Sequence, residues 1–309
     1  MPRQVSYKQY GGVDVLQLLE AERPVPGEGQ LLIRVKAAGI NPFEAKLRQG
    51  LMEGQIPLSF PAAQGNDVAG VVESVGPGVS GFKAGDEIVG SSAKRGAQAD
   101  FALVAQAKAL PRPEHVSWEV AGSLWTVGTT SQAMVAAVGV GADDLVLVSG
   151  ASGGVGALAS QLAHHRGAQV IGVAGERNHE WLRSHGITPV TYGPDVETQI
   201  RAALAQHPER ALSAVLDVSG GGYVELGVSL GVAPERIDTI VDQGAAQQHG
   251  AKTDGGAAGT VAQVAELLTL LNDGSVELPI HASFPLEEVQ RAYTELEQGH
   301  PRGKIVLIP

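Results

Sequence analysis

Apolar and polar positions along the chain fall into two textures. In the first third, runs such as GQLLIRVKAAG and DVAGVVESVG are punctuated by glycine, and the second continues into GPGVSGFKAGDEIVG, a succession of turn signals. No long helical pattern interrupts this region, so it predicts a β-rich domain. After PRPEHVSWEVAGSL, short apolar strands alternate with longer stretches of helical period, the signature of βαβ units on a parallel sheet. Strands are expected near LVLVS, QVIGVA, PVTYG, SAVLDVS and RIDTIV. Toward the C-terminus GTVAQVAELLTLLNDGS predicts an amphipathic helix stopped by Asn272 and Gly274. The remaining stretch, VELPIHASFPLEEVQRAYTELEQGHPRGKIVLIP, reads as strand, helix, turn and final strand. No solenoid-like period repeats along the chain.

The stretch LVLVSGASGGVGALASQLA (145–163) carries the candidate chemistry, and its centre satisfies two patterns. From Gly150 it is Gly-x-Ser-x-Gly, the nucleophile elbow of a hydrolase, with Ser152 as the attacking oxygen. From Ala151 it approaches the Gly-x-Gly-x-x-Gly turn that holds a dinucleotide pyrophosphate, with Ala151, Gly153 and Gly156 in the three slots. A hydrolase also needs an acid and a histidine; Asp217 with His249 or His281 are the candidates. That reading leaves the β-rich first half without a role and places the elbow on the wrong strand of the sheet. The dinucleotide reading uses more of the stretch. Gly153 leaves room for phosphate oxygens, and Gly156 lets the helix pack closely. The free N–H groups over Gly153, Gly154, Val155 and Gly156 attract an anion, and Ser152 becomes a hydroxyl donor. In the helix that follows, Val155, Leu158, Ala159 and Leu162 form one stripe against a sheet. Its end, HHRG, suits a negative helix terminus rather than a metal, because adjacent helical residues diverge by about 100°.

Composition narrows the field. The chain has 309 residues, 43% of them hydrophobic, which suits an ordinary globular protein and gives length for two domains. Acids outnumber bases 33 to 22, for a net charge of −11, which argues against a nucleic-acid partner. With no cysteine there is no disulfide, thiolate zinc site or cysteine nucleophile. No signal-peptide-like or membrane-spanning apolar run is seen, so a cytoplasmic location is expected.

Five segments together resemble the zinc-free quinone oxidoreductase and ζ-crystallin branch of the medium-chain dehydrogenase/reductases. They are AAGINPFEAKLRQG (37–50), FPAAQGNDVAGVVESVGPGVSGFKAGDEIVG (60–90), VGTTSQAMV (127–135), VSGASGGVG (148–156) and the closing RGKIVLIP. The resemblance implies an α/β protein with a GroES-like partial β-barrel catalytic domain over 1–117, to which 275–309 return. A Rossmann doubly wound parallel-sheet cofactor domain is implied over 118–274. Zinc-dependent relatives place ligands where this chain has Asn41 and Asn66, and neither amide is a normal zinc ligand, so metal-free catalysis is expected. An acceptor that is already electrophilic then fits best: a quinone or an α,β-unsaturated carbonyl, reduced by hydride while charge develops on its oxygen. By resemblance Asn41 and Lys46 line the cleft beside the nicotinamide ribose, and Thr130 approaches the nicotinamide. The resemblance also implies a homodimer, with Asp242 and its neighbours lining the cleft. Phe43, Phe60 and Trp125 are read either as apolar walls or as core.

The second strand of the cofactor domain, QVIGVAGERN, bears on which coenzyme is used. NAD binders carry an acid at this strand end, whereas NADP binders offer space and a cation. Glu176 would serve NAD by spacing. The small pair Ala174 and Gly175 followed by Arg177 favours NADPH, with Arg177 on the 2′-phosphate. Tyr192 matches a tyrosine that resembling enzymes use at the adenosine end. Two other classes stay open: an NADPH-binding regulatory or crystallin-like protein with little turnover, and a serine hydrolase built on Ser152. A short-chain reductase is excluded, since the chain contains no Tyr-x-x-x-Lys pair.

Overall fold

The computed structural model describes residues 1–256 and 259–309. In chain order the first part contains β1 (Arg3–Tyr7), β2 (Gln17–Glu20), β3 (Gln30–Gly39), α1 (Pro42–Arg48), β4 (Ala62–Ala63), β5 (Asp67–Val75), β6 (Glu87–Ser92), β7 (Phe101–Pro111) and α2 (Trp118–Ala137). The middle alternates: β8 (Leu145–Val148), α3 (Gly154–His165), β9 (Gln169–Ala174), α4 (His179–Ser184), β10 (Ile187–Thr191), α5 (Val196–Leu204), β11 (Leu212–Asp217), α6 (Tyr223–Ser229) and β12 (Ile237–Thr239). Then follow α7 (Gln243–His249), α8 (Val261–Asn272), β13 (Ile280–Pro285), α9 (Val289–Gln298) and β14 (Lys304–Ile308). Two compact units result: Met1–Thr126 with Pro279–Pro309, and Val127–Leu278.

The first unit is built on a six-stranded sheet in the order β13-β14-β3-β5-β6-β7, and β3 also pairs with β7. That extra pairing closes β3, β5, β6 and β7 on themselves as a small barrel. The alternation in β3 explains its inward face, since Arg34 and Lys36 point out while Leu31, Ile33 and Val35 point in. They meet Val68, Val72, Ile88 and Val104 in the barrel core. The last strand, β14, runs antiparallel to β3 and parallel to β13, with Val306 opposite Gly39. A second core gathers Val5, Tyr7, Ile40, Val289, Tyr293, Ile305 and Leu307. No long helix appears before β7, but the seven-residue α1, which the apolar pattern did not announce, lies within this region.

The second unit carries a five-stranded parallel sheet in the order β10-β9-β8-β11-β12. All four residues of β8 are buried, as expected for a central parallel strand covered on both faces. The chain winds outward from β8 first through β9 and β10 and then through β11 and β12. The carboxyl end of β8 is therefore the switch point at which open α/β sheets hold ligands. Two expected strands shift: the third starts at Ile187, ahead of PVTYG, and the fifth spans only Ile237–Thr239 of RIDTIV. A helical turn at Pro234–Arg236 delays the fifth strand, and Asp238 is joined to Lys252 by a single parallel bridge on its outer side. The helix expected from GTVAQVAELLTLLNDGS is α8, closed by Asp273 and the left-handed Gly274.

Candidate nucleotide turn and buried catalytic-unit cluster

The turn after β8 is shaped by two glycines. Gly150 takes a left-handed φ of +60°, and a Cβ on Gly156 would stand 2.1 Å from the carbonyl oxygen of Gly150. Only a residue without a side chain lets α3 come this close to the turn. A Cβ on Gly153, by contrast, would meet nothing nearer than the same oxygen at 3.4 Å, so this glycine keeps an outer space open rather than relieving a clash. Gly153 is the N-cap of α3 and supplies no side-chain cap. Among the described residues no side chain caps the opening N–H groups of the helix, those of Gly154, Val155 and Gly156 included, and such groups suit an outside acceptor. In the helix itself every residue from Gly156 to Ala163 is buried, so Leu158, Ala159 and Leu162 are not set apart as a single buried stripe, and Val155 is half-buried.

Around that turn the strand ends are tied together. Ser149 donates from Oγ to Asp217 Oδ1 at 2.6 Å, and Thr239 donates to Asp217 Oδ2 at 2.8 Å, which fixes the ends of β8, β11 and β12. Ser152 accepts a 2.9 Å hydrogen bond from Asn178 Nδ2. Among the described residues no hydrogen bond joins Ser152 to Asp217 or His249: Asp217 is taken by Ser149 and Thr239, while the remaining histidine candidate, His281, pairs with Glu295 at 2.7 Å. The nucleophile-elbow arrangement is not assembled.

The adenosine-end candidates lie on the next strands. Gly175 caps the short turn Glu176–Asn178, which bears the exposed Arg177. Tyr192, 52% exposed beyond β10, comes near enough that a Cβ on Gly175 would lie 3.3 Å from its ring. Gly175 and Tyr192 are therefore brought together at one edge. Thr130 is half-buried on α2. Asp242 caps α7, its side chain accepting from Ala245 N at 2.9 Å, so its carboxylate has a structural use.

In the first unit Asn41 is 2% exposed and opens α1. Asn41 and Glu44 form a capping box, the N-cap and N3 positions bonding reciprocally. The Asn41 amide nitrogen donates to Asp67 Oδ2 at 3.1 Å and to Glu44 Oε1 at 3.4 Å, and its oxygen accepts from Lys304 Nζ. Lys304 also donates to the carbonyl of Ile40 at 2.6 Å. Glu44 accepts from Asn66 N at 2.8 Å and Tyr293 OH at 2.9 Å, and Asp67 accepts from Thr126 N at 2.9 Å. The two positions that resemble zinc-ligand sites, Asn41 and Asn66, are thus joined through one carboxyl group. Burial, reinforced by Asp67, pushes Glu44 up to about 7. Burial also lowers Lys304, against the opposing pull of Asp67 and Glu44, and raises Tyr293 well above its usual value. Lys46 sits on the exposed side of α1, in its last turn. Phe60 packs edge-on against Tyr7 and Tyr10, and Trp125 is buried.

Glu44, Asp67, Lys304, Tyr293 and Asn178 were not among the sequence candidates. The Asn41-x-x-Glu44 spacing was a usable signal for the first of them. Lys304 lies far along the chain, with nothing local to mark it. Among the described residues no group of three or more metal-ligating side chains is assembled, and no helix is long and apolar enough to cross a membrane.

Residues 27–140 match the alcohol dehydrogenase GroES-like domain family and residues 197–307 the zinc-binding dehydrogenase family. The chain belongs to the medium-chain dehydrogenase/reductases, with a GroES-like unit and a Rossmann-like parallel-sheet unit. Within that family it is similar to quinone oxidoreductases. It is 29% identical to the chloroplast envelope quinone oxidoreductase homolog of Arabidopsis thaliana, over 99% of this chain and 98% of that one. It is 29% identical to a quinone oxidoreductase of Pseudomonas aeruginosa across the full length of both. Among solved structures it resembles Escherichia coli quinone oxidoreductase complexed with NADPH, with a TM-score of 0.85 and 25% identity over 99% of this chain and all of that one.

Proposed function

We propose that the protein is an NADPH-dependent oxidoreductase that works without a metal and reduces a quinone or an α,β-unsaturated carbonyl. The observation that carries this reading is the turn at 150–156, where Gly156 is pressed onto Gly150 and the opening of α3 carries no side-chain cap. That is a cradle a Cβ would fill, and it fits a dinucleotide diphosphate. When bound, NADPH supplies the hydride. The α3 N–H groups and Ser152 hold the diphosphate, while Arg177 and Tyr192 hold the phosphorylated adenosine end, with Gly175 leaving them room. Thr130 positions the nicotinamide side, and Asp242 shapes the region past β12.

In the first unit, Asn41 fixes the geometry of the α1 entry through Lys304, Asp67 and Glu44. Its amide is so fully engaged that it serves better to hold the wall beside the ribose than to donate a proton to the acceptor. Lys46, exposed on the same helix, is the side chain left to stabilise charge on the acceptor oxygen. Metal independence is supported by the residue types at the two positions, Asn41 and Asn66, neither a normal zinc ligand, and by Glu44, whose carboxylate is held by the backbone N–H groups of both. By resemblance the enzyme is a homodimer; its acidic charge argues against a nucleic-acid partner, and the lack of a signal-like or spanning apolar run supports a cytoplasmic location without a membrane partner.

The same commitment of Asn41 is what favours the second reading, an NADPH-binding regulatory or crystallin-like protein. A spectrophotometric screen of NADPH oxidation against quinones and enones separates the two. Oxidation with at least one acceptor is expected; tight NADPH binding with no oxidation of any of them overturns the enzyme reading. For the coenzyme, Arg177→Ala should weaken NADPH about tenfold or more while leaving NADH little changed. A clear NADH preference that Arg177→Ala does not alter refutes the assignment.

A further inference from the structure

Asn178 has no place in the sequence motifs, yet it is 5% exposed and its side chain spans from the turn after β9 to the turn after β8. Its Nδ2 donates to Ser152 Oγ at 2.9 Å. Its backbone N–H closes the Gly175–Asn178 turn on the carbonyl of Gly175 at 2.8 Å. Arg177 stands between these two anchors. One residue therefore holds both the hydroxyl beside the α3 opening and the turn that carries the cation.

We infer that Asn178 is a positioning residue that couples recognition of the coenzyme diphosphate to recognition of its 2′-phosphate. The inference rests on the NADPH reading above. A serine hydroxyl has one proton to give and lone pairs to receive. By filling a lone pair of Ser152, the Asn178 amide leaves the Ser152 proton to be given to an anionic oxygen at the helix opening. The tie also restrains the short turn, so the Arg177 side chain departs from a fixed backbone and less ordering is needed when it meets a phosphate. An aspartate of the same shape would reverse the first effect. Its carboxylate would take the Ser152 proton inward and set a negative charge near the diphosphate.

The test measures dissociation constants for NADPH and NADH, by fluorescence, on the wild type and on Asn178→Ala, Asn178→Asp and Ser152→Ala. The melting temperature of each protein without coenzyme and kcat with 1,4-benzoquinone at saturating NADPH are measured alongside. For Asn178→Ala we expect NADPH affinity to fall about tenfold and NADH affinity about threefold, the size of one or two hydrogen bonds. The preference for NADPH then shrinks, with kcat within about twofold and the melting temperature little moved. Ser152→Ala should weaken both coenzymes equally, and Asn178→Asp should bind NADPH more weakly than Asn178→Ala. Wild-type affinities in Asn178→Ala, or an Asn178→Asp protein that binds like the wild type, overturn the inference and leave the coenzyme reading standing. So does a loss that is equal for both coenzymes and tracks a lowered melting temperature, which marks a purely structural tie. A wild-type protein that binds neither coenzyme overturns the reading itself.

Discussion

Glu44 is a carboxyl group 1% exposed among Asn41, Asn66, Gln98 and Tyr293, with Asp67 and Lys304 as its charged neighbours. Its folded-state value, about 7, stands above the ordinary 4.5 because burial opposes ionisation. A carboxyl raised in this way contributes stability that is present in full below the unfolded value and is lost as pH rises through the folded one. The window for this group therefore runs from about 4.5 to about 7. Melting temperatures followed from about pH 5 to pH 8 should decline more steeply in the wild type than in Glu44→Gln, which cannot titrate; parallel curves would contradict the account. Single residues are legible in the sequence where their partners are local. Gly153 and Gly156 announce themselves in seven consecutive letters, and Asn41 opens a four-residue capping box. Lys304 is illegible there because its meaning, an ammonium on Asn41 and Ile40, exists only once β14 is laid beside β3.

At the scale of elements, the β8 turn and α3 behave as one piece, and their two inner glycines separate packing from binding. In Gly156→Ala the new methyl would overlap the Gly150 carbonyl at 2.1 Å, so the turn and helix must part. We expect a loss of about 3 kcal/mol or more, read as a drop of roughly 6–12 °C in melting temperature, with coenzyme binding lost as well. Gly153→Ala meets only an ordinary contact at 3.4 Å, so its melting temperature should stay within about 2 °C. On the proposed coenzyme reading its methyl would occupy the space offered to phosphate oxygens, and NADPH affinity should fall about tenfold or more in a fluorescence titration. A Gly153→Ala protein with unchanged NADPH affinity would move the diphosphate away from this turn. Elements long enough to show a full period are legible in the sequence, as α3, α8 and β9 show. Short ones are not. Seven-residue α1 offers under two turns of pattern, and β12 keeps only three of the six apolar-rich residues in RIDTIV because a helical turn precedes it.

Over the whole molecule, the change of texture after PRPEHVSWEVAGSL foretells two architectures, and the two units have them: a barrel-bearing sheet and a parallel sheet. Composition does not say how the chain is shared between them. The dividing line falls inside α2, between Thr126 and Val127, where no change of hydrophobic pattern marks it. Ile305, Val306 and Leu307 of β14 are fully buried in the first unit. Each such side chain contributes about 1.5–3 kcal/mol, so together they rival the net stability of a typical domain, about 5–15 kcal/mol. Truncation after Arg302 should therefore unfold the first unit, and limited proteolysis should leave a resistant fragment close to Val127–Leu278. Survival of the full truncated chain under protease would show that β14 is dispensable.

Because β14 fills the place between β13 and β3, the order in which the ribosome makes the chain matters. Translation completes Val127–Leu278 while the strands Arg3–Pro111 still wait for their closing partner. Until Lys304 emerges, Asn41 has no ammonium and the Ala38–Gly39 end of β3 stands uncovered, so the nascent protein must shelter one unfinished sheet while another is already complete.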